Sequence, residues 1–171
     1  FVGTALIKRL LNRYPSIEIV SIDNYSSGRK SNHVKSKQVT YLDKDTQTLI
    51  PKKFDANNTK MDIADAFELD VVFHFGEFSR IVTSFDAFDN CWDYNMQGTK
   101  MVLDYCVAKK AKLIYSASSS KFGNDGKDEN LSPYAWMKAK MVELINNYAD
   151  WFDLKFEITY FYNAYGPGQV R

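Results

Sequence analysis

Two stretches, DVVFHFGE (Asp70–Glu77) and KLIYSASSS (Lys112–Ser120), are apolar at nearly every early position and then turn polar. A strand with one wet face alternates apolar and polar residues, whereas a strand covered on both faces has no polar side to show. IEIVSID (Ile17–Asp23), VTYLD (Val39–Asp43) and KFEITYFYN (Lys155–Asn163) read as further strands. Helical patterns separate them. Gly3–Tyr14 carries Ala5, Leu6, Ile7, Leu10 and Leu11 at i, i+3, i+4 spacing. Asp86–Lys109 is a long helical stretch with a break near Gly98, and Ser132–Trp151 is another. Asp45–Leu69 reads as a loop plus one helix. Covered strands alternating with helices predict an α/β fold with a doubly wound parallel sheet. The 171 residues suit a single domain with a sizeable core.

Composition mainly excludes. A formal net charge of +1 gives no pull toward nucleic acid or an anionic membrane. No apolar run reaches membrane-spanning length, and FVGTALIKRLL lacks the pattern of a signal peptide. Cys91 and Cys106 form no CxxC, and His33 and His74 are the only histidines, so no metal site is expected. Free buried thiols and a reducing, cytoplasmic setting are expected instead. The chain starts at Phe1, almost inside a helix, and stops after YGPGQVR. Both ends read as cut from a longer protein.

In open parallel sheets, ligands bind at the carboxyl ends of the strands. Asp23 ends the first apolar strand in view, where an acid can hold a ribose diol or simply sit solvated in a loop. Gly3 precedes the first helix, and Gly76 follows the DVVFHF strand. Glu77 could pair locally with Arg80. His74, inside its apolar strand, reads as a core histidine more readily than a catalytic one. The hydroxyls of Ser116–Ser120 can relay a proton or merely form a loop. In SPYAWMKAK, Ser132 suits a helix cap and Pro133 the first helical position. Tyr134 and Lys138 then share one helix face. An ammonium beside a phenol lowers its pKa toward what a general base needs. Each feature alone is commonplace; their order in one chain is not.

Taken together, the segments FVGTALIKRLL, SIDNYSSG, VVFHFGE, NMQGTKMVLDYC, IYSASSSKFG, SPYAWMKAK and TYFYNAYGPGQ resemble the extended short-chain dehydrogenase family. The resemblance is to its NAD-dependent nucleotide-sugar epimerases and dehydratases of the UDP-glucose 4-epimerase kind, and it covers essentially the whole chain. It implies a partial Rossmann-like NAD-binding domain over residues 1–171, lacking its first strand, two glycines and a C-terminal substrate domain. Tyr134 would be the catalytic base, Lys138 would hold the nicotinamide ribose, and Ser118 would bond the sugar hydroxyl. Gly3, Asp23, Asn24, Asp45, Thr46, Phe75, Gly76, Glu77, Asn95, Ser116, Phe161 and Asn163 would join Tyr134 and Lys138 in binding NAD. Asp62-Ile63 rivals Asp45-Thr46 at the adenine, and Arg29 leaves NADP open. Ser118, Ser119 and Asn163 would touch the nucleotide-sugar substrate. A homodimer would form through Cys91–Lys109 and Ser132–Trp151, with Trp92, Tyr105 and Trp136 placed for either the interface or the core.

The departures are informative. Where the family's dehydratases carry an acid in the serine loop, this chain has Ser119 and Ser120, which points to epimerisation through a transient keto sugar. Glu77 stands where the family has a small residue, and Lys121 is also unusual. Other readings are a dehydratase or reductase of the same family, a simple alcohol dehydrogenase, or a non-catalytic dinucleotide-binding protein. The cut ends predict that these 171 residues alone bind NAD poorly and turn nothing over.

Overall fold

The computed structural model describes residues 1–48 and 68–169. Most of Asp45–Leu69, including Asp62-Ile63, lies outside the described residues. The chain forms two compact units, Phe1–Asp45 with Asn163–Arg171, and Thr46–Tyr162.

The first unit holds helix α1 (Val2–Arg13) and strands β1 (Ile19–Asp23) and β2 (Val39–Asp43). The strands pair in parallel from Ile19 opposite Val39 to Asp23 opposite Asp43. Parallel neighbours need a long crossover, and here it is the polar stretch after Asp23. That stretch is built, not loose. It carries a 3-10 turn at Lys30–Asn32, and His33 stacks on Tyr41 with ring centroids 3.7 Å apart. The Tyr25 hydroxyl bonds His33 Nε2 at 2.8 Å, and the Tyr41 hydroxyl accepts from the Val34 N–H at 2.8 Å.

The second unit runs β3 (Val71–His74), α2 (Thr83–Asp86), α3 (Phe88–Trp92), α4 (Gly98–Lys109), β4 (Lys112–Ser118), α5 (Pro133–Phe152) and β5 (Phe156–Phe161). Its sheet has the order β3-β4-β5, all parallel. Leu113, Tyr115 and Ala117 of β4 meet Val102, Leu103 and Cys106 of α4 and Met141, Val142 and Ile145 of α5 in one buried cluster. Both cysteines are free and buried. Burial pushes the Cys91 thiol up to about 11 and the Cys106 thiol up to about 12.

Among the described residues the strands form two parallel ladders, in keeping with a sheet that lacks its first strand. Two expectations change and one alternative is settled. The two-sided cover expected of the apolar strands holds best at β4; Val71 and Phe73 of β3 and Glu157 and Thr159 of β5 are exposed, because α4 and α5 pack on the Leu113–Tyr115 face. The long helix after Asp86 is interrupted twice, at Ala87 and by a π-helical turn over Asp93–Gln97. Gly98 follows that turn at a close approach: a Cβ there would stand 2.8 Å from Thr46 Oγ1, so a larger residue would force the Thr46 side chain to shift. Tyr105 is buried, so it belongs to the core and not to a candidate interface, while Trp92 and Trp136 are exposed. Among the described residues no helix is long and apolar enough to cross a membrane.

Helix α5 starts as its sequence predicts. Pro133 takes the first turn, and the Ser132 hydroxyl accepts from the Ala135 N–H at 3.1 Å. The Ser84 hydroxyl accepts from the Tyr134 N–H at 3.2 Å, so two of the helix's unpartnered donors are satisfied. Ser132→Ala is expected to cost about 1 kcal/mol, and Leu113→Ala about 2–5 kcal/mol through the cavity it leaves. Urea denaturation of the two variants checks both values and their order.

Candidate functional site

The carboxyl ends of β3 and β4 bring a charged pair into the interior of the second unit. Lys138 of α5 forms an ion pair with Glu77, which follows β3, and the two side chains are 5% and 3% exposed. Further hydroxyls surround that carboxylate. Glu77 Oε1 accepts from the Tyr115 hydroxyl at 2.9 Å and from the Thr99 hydroxyl at 3.1 Å. The Ser116 hydroxyl lies 3.4 Å from Oε2 and 3.0 Å from the His74 carbonyl. The local Glu77–Arg80 pair anticipated from spacing is replaced by this long-range one.

Lys138 is equally enclosed. Its ammonium also donates to the Ser116 carbonyl and sits 4.4 Å from the centre of the Tyr115 ring. An ammonium has three N–H donors. Among the described residues two are spent on protein oxygens, Glu77 Oε2 and the Ser116 carbonyl. Burial pulls the Lys138 pKa down, and Glu77 opposes that fall.

His74 is a buried histidine with a partner. The single Thr99 proton goes to Glu77, so at the 2.9 Å contact His74 Nε2 donates to Thr99 Oγ1. Burial lowers the His74 pKa and keeps the ring neutral.

Tyr134 lies one turn before Lys138 on α5. Ser118 ends β4, and its oxygen accepts from the Ser120 N–H at 3.2 Å and from the Ser120 hydroxyl at 2.8 Å. Its own proton is therefore available for the Tyr134 phenol, and this hydrogen bond lowers the phenol pKa. Burial is the larger effect and raises it, and the Glu77 charge raises it further. The lowered phenol pKa expected from a neighbouring ammonium is thus reversed. The charge of Lys138 is compensated by Glu77 before it can act on Tyr134.

Asn95 sits in the π-helical turn and is fully buried. Its Oδ1 accepts from the Phe78 N–H at 2.7 Å, and its Nδ2 donates to the Phe78 carbonyl at 3.0 Å. The amide expected at the cofactor is occupied in clamping the backbone beside Glu77. Phe75 packs on Phe161 with ring centroids 5.5 Å apart. A Cβ on Gly76 would meet nothing within 4 Å. Thr46 lies against Gly98. Ser119 opens a 3-10 segment, Ser119–Asn130, capped by Ser118.

The first unit gathers its own set. Asp23 is exposed, and its Oδ1 accepts from the Tyr25 N–H at 2.8 Å. Oδ2 lies where a Cβ on Gly28 would stand 3.0 Å away, so Gly28 leaves that oxygen room. Asn24 Nδ2 donates to Asp45 Oδ2 at 2.9 Å. Gly3 faces open space, and Arg29 and Asn163 are exposed.

Sequence reasoning missed Thr99 and Tyr115. The usable signal was Glu77 itself: a carboxylate closing an apolar strand needs donors, and inward hydroxyls on neighbouring elements are where they come from.

Comparison with known proteins agrees with this layout. Among curated proteins, ADP-L-glycero-D-manno-heptose-6-epimerase of Brachyspira hyodysenteriae is 26% identical over 98% of this chain and 52% of its own length. The chain spans about half the length of the curated relatives it matches. Among solved structures, UDP-glucose 4-epimerase of Thermotoga maritima with UDP-glucose superposes with a TM-score of 0.82 at 19% identity, over 99% of this chain and 55% of that one. A dTDP-glucose 4,6-dehydratase of Streptomyces venezuelae, with NAD bound, gives 0.82 at 21% identity over the same shares, 99% and 55%. The fold is accordingly that of the Rossmann-type epimerases. Residues 1–171 match the model of the NAD dependent epimerase/dehydratase family, and the chain belongs to that family.

Proposed function

We propose that the whole protein epimerises a nucleotide sugar with NAD, and that Ser118, Tyr134 and Lys138 carry the chemistry. The observation that supports this best is the Ser120–Ser118–Tyr134 hydroxyl chain beside a buried lysine. Such a chain can take a proton from a sugar hydroxyl and hold it near the reacting carbon. NAD, when bound, supplies the acceptor and donor of hydride.

The residues present fit that cofactor. Asp23 is exposed with Oδ2 beside a glycine, as a ribose diol requires, and its neighbour Asn24 is bonded to Asp45, 21 positions further on. Gly3 and Gly76 have open space where a side chain would project, so a ligand can approach their backbones. Lys138 would donate to a ribose hydroxyl. Phe75 and Phe161 offer apolar walls. Among the described residues no basic side chain is bonded to Asp23, and an acid at this position favours NAD over NADP.

Epimerisation is favoured over elimination. Loss of a hydroxyl needs a nearby group that can protonate it. The serine loop offers hydroxyls at Ser119 and Ser120, and Glu77 is committed to Lys138, Tyr115 and Thr99. A nucleotide-sugar panel with NAD should yield a product of unchanged mass; a product lacking the elements of water would overturn this choice.

Tyr134→Phe should lower turnover by about 10²–10⁴-fold with NAD binding kept, as read by steady-state assay and calorimetry. Asp23→Ala should weaken NAD binding about 10–100-fold, the loss expected for hydrogen bonds to a charged group. Calorimetry that finds equal affinity would remove Asp23 from the site.

A further inference from the structure

Glu77 is a charged side chain buried in a site where a small residue was expected, and nothing in the proposed reaction calls for it. Its surroundings assign it a part. Donors reach its carboxylate from three elements: Tyr115 from β4, Thr99 from α4, and Lys138 from α5. Asn95 holds the following residue, Phe78, by both its N–H and its carbonyl, which fixes the turn that carries Glu77. A carboxylate surrounded in this way has no oxygen to offer a substrate. It acts on its neighbours.

We propose that Glu77 is a positioning residue for the Tyr134–Lys138 pair: it keeps the buried Lys138 charged and oriented, and its own negative charge moves the working pH of the pair upward. The proposal rests on the reading of Tyr134 and Lys138 given above. Two effects run in one direction. The Glu77 anion favours the protonated ammonium of Lys138 and disfavours the phenolate of Tyr134. Both groups therefore keep their protons to higher pH than they would without it.

Among the described residues, the other titratable groups facing this pair do not compete. His74 on β3 is neutral through burial. Cys91 on α3 is pushed up to about 11, and Tyr115 on β4 is pushed well above its ordinary value. Thr99, Ser116 and Ser118 do not titrate. Among the described residues, Glu77 is the charged side chain that bears on Tyr134.

The test is an NMR titration of ligand-free whole protein, with tyrosine labelled at Cζ and lysine at Cε, for wild type, Glu77→Gln and Glu77→Asp. In Glu77→Gln the midpoints of Tyr134 and Lys138 should both fall, each by about one pH unit or more. Glu77→Asp keeps the charge but shortens its reach, and should move both in the same direction by less. Unmoved midpoints in a folded Glu77→Gln protein would overturn the proposal. Should Glu77→Gln not fold, unmoved midpoints in Glu77→Asp overturn it equally. Where turnover is measurable, both limbs of the pH–rate profile should move to lower pH in the variant. A lower profile with fixed limbs would mean that Glu77 only supports the fold. The titration needs no substrate, so a protein inactive on every nucleotide sugar would refute the reaction and leave this result standing.

Discussion

The buried Lys138–Glu77 pair is the constraint around which the second unit is arranged. Taking two opposite charges out of water costs several kcal/mol per ion before any attraction is counted. The loss is offset only where the remaining donors and acceptors of both groups are met. That requirement explains why β3, β4, α4 and α5 each send a polar group inward through an otherwise apolar core. Tyr115 shows the compromise most clearly. Its ring packs in the apolar cluster and lies against the ammonium, while its hydroxyl supports the carboxylate.

The irregular parts of the backbone follow from the same need. Asn95 lies in the π-helical turn over residues 93–97, and its amide grips both backbone groups of Phe78. Gly98 then lets the helix close on Thr46. The next residue, Thr99, delivers its hydroxyl to Glu77 and receives His74. One short run, Asn95 to Thr99, thus supports the charged pair twice, by holding the backbone after Glu77 and by solvating its carboxylate.

Much of this was legible in the chain and some of it was not. The strand segments and helix α5 were legible because apolar runs and the Ser-Pro cap are local signals. Ser118, Tyr134 and Lys138 were legible as a pattern. The interrupted helix was only half legible, since Gly98 marks the break but the π turn depends on Asn95 reaching a distant backbone. The partner of Glu77 was not legible at all: Arg80 is near in sequence, Lys138 is 61 positions away, and only tertiary packing chooses between them. The direction of the Tyr134 shift failed for the same reason. Spacing along α5 shows the ammonium but not the carboxylate that compensates it.

A buried ion pair is weak evidence for stability, because apolar groups of similar volume often do as well or better. The second unit has apolar material close by in Leu113, Ala117 and Met141. Packing alone therefore gives no reason to place a glutamate and a lysine here and then spend Thr99, Tyr115 and Asn95 on keeping them. The proposed reaction would supply a reason: the lysine must stay charged beside a tyrosine that would give and take a proton. Lys138 cannot be exchanged for an apolar residue without losing its donor, and once buried it needs a counterion. Solvent, a ligand or a side chain can provide one. Supplying it from Glu77 would make the lysine's charge independent of what is bound, and the Glu77 charge also raises the Tyr134 pKa.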